Sequence, residues 1–184
     1  MVTEAEARRQ RPLMSGIVAL AVALAAAVVW YYAGKPSDDQ QPVQTVEWKP
    51  WVKAGLDDDK LLTLAPTALP VGWRATSASY LSGVSPHWHL GMLTATGKFV
   101  GIDEARDTVA DMVTQYVDEN AVKGADVQLA GVTWQTWTDD GGDYAVSRTF
   151  TGPGGNQENV VVVGSAPDSE IRAFVDSLVI RKPS

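Results

Sequence analysis

The 184-residue chain has no cysteine and only two histidines, and each scarcity closes off chemistry. Without thiols there is no disulfide, no thiolate nucleophile, no cysteine-built metal centre and no lipid-attachment cysteine, so stability rests on packing in any redox compartment. Imidazole bases are confined to His87 and His89. Positive charge is short as well, with 15 Lys and Arg against 22 Asp and Glu. Beyond residue 35 the balance is eleven against twenty, about −9. A surface of that sign repels phosphate backbones and anionic headgroups, which excludes nucleic acid and favours a neutral or basic partner.

Charge and proline are both missing from Leu13 to Ala33, "LMSGIVALAVALAAAVVWYYA". At about 1.5 Å per residue this segment spans roughly 30 Å, the hydrocarbon thickness of a bilayer, and predicts a transmembrane helix over 13–33. Arg8, Arg9 and Arg11 precede it, whereas Lys35 alone follows closely. The positive-inside bias then leaves residues 1–12 in the cytoplasm and everything after the helix outside the cell membrane. A cleaved signal peptide is the competing reading, with Ala25 and Ala27 as its small-residue site, but the apolar run continues beyond them. Gly16, Ala19, Ala23 and Ala27 nearly line one face, a spacing that permits close helix packing.

Residues 34–65 read as an extracytoplasmic stalk, polar and acidic, with Pro36, Pro42, Pro50 and the run Asp57-Asp58-Asp59. Trp48 and Trp51 within it either pack onto the domain or membrane, or form a docking segment for a neighbouring protein.

From residue 66 to 184 the pattern is that of an α+β domain. Short β-prone runs are expected at 73–80, 88–93, 98–102, 127–138 with a break near Gly131, 144–150 and 160–164, separated by turn residues such as "DDGGD" and "GPGGNQ". "VVVVG" lacks alternation and predicts a central strand covered on both faces. Val109, Met112, Val113, Tyr116 and Val117 form one apolar helical stripe, and Ile171, Phe174, Val175 and Leu178 form another. The expected order is β-β-β-α-β-β-β-α with a largely antiparallel sheet.

Residues two apart in a strand share a face, so His87 and His89 could reach one metal ion, with Asp103 and Glu104 as the available carboxylates. Nothing in the sequence places those acids, and histidines bonded locally in a hairpin are the simpler expectation. "GMLTATGKF" departs from the phosphate-loop pattern in spacing and in Phe99, which stands where a hydroxyl would bind magnesium. No G-x-S-x-G elbow is present, and two adjacent histidines give a Ser-His-Asp triad little to build from. Asp139, Asp140 and Asp143 lack the spacing of a calcium loop. No cofactor and no catalytic residue are therefore expected.

With "LAPTALPVGWRATSASY", "WHLGMLTATGKFVGIDEA" and "AGVTWQTW" in view, the chain resembles an actinobacterial family of single-pass membrane proteins with an extracytoplasmic domain of unknown function. The motifs that carry the resemblance fall on Pro66, Leu69, Pro70, Gly72, Trp73, Arg74, Thr76 and Ser77, on Trp88, His89, Leu90 and Gly91, on Phe99, Val100 and Gly101, and on Gly131, Val132 and Trp134. The resemblance implies a location and a fold class but no activity. By analogy of element order the domain is also similar to the PsbP/Mog1-like α+β sandwich, and fold alone does not give function.

Three functional expectations follow. The first is a non-catalytic accessory subunit that binds another membrane or envelope protein, as in a respiratory or secretion assembly. The second is a small-molecule or lipid-binding domain with an apolar pocket near Trp73, Trp88 or Trp134. The third is a metal-dependent enzyme or metal handler using His87 and His89.

Overall fold

The computed structural model describes residues 43–179. The expected cytoplasmic segment, the membrane helix at 13–33 and the first part of the stalk lie outside the described residues. Among the described residues no helix is long and apolar enough to cross a membrane.

The chain enters through helix α1 (Lys49–Asp58) and then forms strands β1 (Arg74–Leu81), β2 (His87–Leu93) and β3 (Phe99–Ala105). Helix α2 (Val109–Tyr116) follows, then β4 (Val122–Leu129), β5 (Val132–Thr138), β6 (Tyr144–Thr151) and β7 (Gln157–Gly164), and helix α3 (Asp168–Asp176) closes the fold. All seven strands belong to one sheet in the order β1-β2-β3-β7-β6-β5-β4, and every pairing is antiparallel. The valine run of β7 lies in the middle, and Val160, Val161, Val162 and Val163 are all buried. The expected single segment 127–138 is instead a hairpin of two strands, because Ala130 and Gly131 both take positive φ and turn the chain at once.

Alternation sorts the side chains onto two faces. Trp88, Leu90, Met92, Val100, Ile102, Val160, Val162 and Trp134 share the larger core with Ile171, Phe174 and Val175 of α3. Ala105, Ala145, Val161 and Val163 face the other way, against Met112 and Val113 of α2. Thr108 caps α2 by accepting the Asp111 N–H at 3.1 Å. Both predicted apolar stripes therefore cover the sheet as their spacing requires.

The stalk expectation needs correction for its described part. Trp48, Leu61, Leu62, Leu64 and Ala65 are buried in the larger core, Val46 N–H bonds the Ala75 carbonyl at 3.0 Å, and Pro66 bridges Leu178. Proline and aspartate density suggested a spacer, but Pro50 sits in the first turn of α1, where its missing N–H costs nothing. The aspartates occupy the helix end, and Asp59 takes a left-handed cap conformation. The compact unit starts near Gln44 rather than at residue 66.

Burying three leucine side chains stabilises by on the order of 5 kcal/mol, comparable to the net stability of a domain. A fragment beginning at Pro66 is therefore expected to melt without a cooperative transition, whereas one beginning at Val43 unfolds cooperatively; circular dichroism on the two decides it.

Candidate functional site

Three constellations stand out. The first ties residues 60–66, hereafter the strap, to the middle of the sheet. Glu104 Oε1 accepts the Thr63 N–H at 2.9 Å and its Oε2 accepts the Leu64 N–H at 2.7 Å. Glu158 Oε1 accepts the Leu62 N–H at 3.0 Å. Trp88 Nε1–H donates to the Leu64 carbonyl at 2.9 Å and Arg106 to the Lys60 carbonyl at 2.9 Å. Three successive N–H groups converge on two carboxyls because Thr63 adopts φ 54°, a left-handed conformation costly for a β-branched residue. Both glutamates are fully buried. Burial, reinforced by the charge of Glu158, pushes the Glu104 carboxyl up to about 8 against the pull of the Leu64 and Thr63 N–H groups. Burial raises Glu158 too. Glu158 Oε2 has no other partner, which leaves it free to share a proton with Glu104.

The second constellation lies on the opposite face. His89 Nδ1 and His87 Nε2 approach the same Asp103 Oδ1 at 2.9 and 3.0 Å. His89 Nε2 lies 2.8 Å from Ser77 Oγ, and the Tyr116 hydroxyl lies 3.2 Å from His87 Nε2 with the two rings stacked. Burial would raise the Asp103 carboxyl, but hydrogen bonds from His87 and His89 outweigh it and hold the group below its ordinary value. Both histidines thus spend an inward nitrogen on one carboxylate. Among the described residues no three His, Asp or Glu are grouped to hold a metal ion.

The third is an open cleft of about 820 Å³ between the start of α3 and the outer strands. Ala125 and Val127 of β4 and Thr136 and Thr138 of β5 form one wall, with the β5–β6 turn at Asp139 and Asp143 beside them. Arg172 stands opposite. It donates to the Tyr144 hydroxyl at 3.1 Å, lies over that ring and pairs with Asp168 at 3.2 Å. Since β4 ends the sheet, one border of the cleft is an unpaired strand edge.

The family model described as "Protein of unknown function (DUF4245)" matches residues 8–178. The chain belongs to the DUF4245 family. No curated protein matches it. Among solved structures, a chain of the Pseudomonas aeruginosa MucA/MucB complex is similar at 13% identity with a TM-score of 0.35. That match covers 65% of this DUF4245 chain and 35% of the other, so this chain spans about a third of the length of its structural neighbour.

The expected site residues of this DUF4245 chain scatter by role. Trp48 is buried in the core and cannot dock a partner, whereas Trp51 on the outer side of α1 is 42% exposed. Trp88 and Trp134 are fully buried, and Trp73 stacks on Phe174 at 5.7 Å, so none of the three lines the cleft. Gly72 takes φ 80° in the turn where Trp73 N–H bonds the Pro70 carbonyl, and Arg74 is exposed. Gly91 and Gly101 are cross-strand partners on the histidine face. Glu158 carried no signal in the sequence, and neither the bonding of Glu104 to the strap nor the meeting of Ser77 with His89 could be read there, because these contacts join segments 12 to 96 residues apart.

The acid pair gives a pH prediction. A carboxyl raised in the folded state keeps a proton that the unfolded chain, with its ordinary value near 4.5, gives up. Stability is then fullest below pH 4.5 and is lost as pH rises through about 8. Glu158→Gln keeps the Leu62 bond and puts an amide donor toward Glu104. Its Tm is expected to fall by several degrees less than that of the unaltered protein between pH 5 and 9; parallel curves would refute the shared proton.

Proposed function

We propose that this chain is a single-pass component of an actinobacterial cell membrane, with a PsbP/Mog1-like outer domain that binds another envelope protein as an accessory subunit. The observation that carries the reading is the open cleft bordered by the unpaired edge of β4. An extended segment of a partner can add to such an edge through its main chain while alternate side chains enter the cleft. Asp168 is already paired with Arg172, which leaves Asp139 and Asp143 facing Lys98, so the lining favours a neutral or basic segment. The acidic balance beyond residue 35 points the same way. A membrane helix at 13–33 would hold the domain beside its partner and raise their effective concentration.

A small-molecule or lipid ligand is the second reading, favoured by a cleft volume within the usual 300–1,000 Å³ range. A photo-crosslinking residue at Thr138, introduced into the full-length protein in its native membrane, separates the two. One discrete protein adduct is expected, reduced several-fold by Asp143→Asn and by raised salt. Crosslinks to lipid alone would sink the accessory-subunit reading, and native mass spectrometry of the same sample would then show the retained ligand.

A further inference from the structure

The relay on the histidine face has the atom order of a nucleophilic serine. Ser77 Oγ meets His89 Nε2 at 2.8 Å, and the far nitrogen of the same ring meets Asp103 Oδ1 at 2.9 Å. From this geometry we infer that Ser77 is an activated nucleophile that cleaves carboxylic esters, an activity beyond partner binding and on the opposite face from the cleft.

The backbone builds this arrangement. Ala75, Ala78 and Tyr80 of β1 contribute to the larger core, so a regular strand would turn Ser77 toward that core with Ala75. A register shift between Ala75 and Ser77 reverses the alternation and puts Ser77 on the histidine face. Bulges of this kind re-aim side chains beside active sites. His89 and Asp103 are direct cross-strand partners, and Ser77 is the partner of Gly91, next along β2 on the same face. A Cβ at Gly91 would lie 2.4 Å from Ser77 Oγ and 3.3 Å from His89 Nε2, so only glycine leaves the serine–imidazole contact room.

Exposure follows the roles. The Asp103 side chain is 4% exposed and that of His89 26%, while Ser77 is half-buried. A buried anion on Nδ1 fixes the tautomer that leaves Nε2 free to accept the serine proton. His87 holds Asp103 from the other side and Tyr116 in turn backs His87, and both act as positioning residues. Beside the relay the Phe99 ring lies over the buried Gly91–Gly101 pair, and Phe99 is 40% exposed, so it is the apolar surface available to a short acyl group.

In the first half-reaction Ser77 Oγ bonds the ester carbonyl carbon while its proton passes to His89 Nε2. The carbon–oxygen bond to the leaving alcohol then breaks, and His89 returns the proton to that alcohol. Water attacks the acyl-serine in the second half, gives one proton to His89, and the acid leaves as Ser77 Oγ recovers it. Covalent labelling, which reports the first half-reaction alone, is the sensitive readout.

The test incubates the full-length protein in detergent with an alkyl fluorophosphonate and locates the adduct by peptide mass spectrometry, with p-nitrophenyl butyrate hydrolysis in parallel. The adduct is expected on Ser77, absent in Ser77→Ala, reduced at least tenfold in His89→Ala and Asp103→Asn, and unchanged in Ser79→Ala, with folding of each variant checked by circular dichroism. Asp103→Asn should alter the pH dependence of the labelling rate. No adduct on Ser77, or equal labelling of Ser77 and Ser79, overturns the inference. Crosslinking at Thr138 is independent of either result.

Discussion

The fold depends on two buried carboxylates from adjacent central strands that accept three consecutive backbone N–H groups of the strap. An ionised or half-ionised acid pair in an apolar layer is costly unless its oxygens are bonded. The N–H groups of a segment that makes no helix or strand are equally costly when buried. Each set satisfies the other. The strained φ of Thr63 is then understandable, since a regular conformation would not turn all three donors toward Glu104 and Glu158.

The same contact explains how an acidic, polar-looking entry segment becomes part of a core. Leu61, Leu62 and Leu64 cover the sheet only while the backbone between them is bonded, and Trp88 and Arg106 complete that bonding from either side. The two sheet faces end up unlike. One carries α1, the strap and α3; among the described residues the other carries α2 alone, and Ser77 and His89 are partly exposed on it.

Much of the domain was legible because periodicity is local. The stripes at Val109–Val117 and Ile171–Leu178, the alternation of β2 and the uninterrupted valines of β7 each state which side is covered. The strap was illegible because its partners are Glu104 and Glu158, acids that single-sequence reasoning leaves on the surface. Two adjacent imidazoles argue against a triad, yet Ser77 meets His89 through a register shift that no local pattern announces. Trp48 and Trp51, three residues apart, went to opposite fates on one helix start, which composition cannot distinguish. The cleft depends on how the β4–β5 hairpin ends the sheet, and the sequence shows there only one run, 127–138, with a break near Gly131.

The strap also sets how the domain bears load. Chain entering at Val43 passes through α1 and is fastened at Leu62, Thr63 and Leu64 to β3 and β7, which lie inside the sheet rather than at its margin. Tension applied from the N-terminal side is therefore carried across several parallel bonds into strands that are each gripped by two neighbours. A pull on an edge strand peels one ladder at a time, whereas this attachment must shear several bonds together.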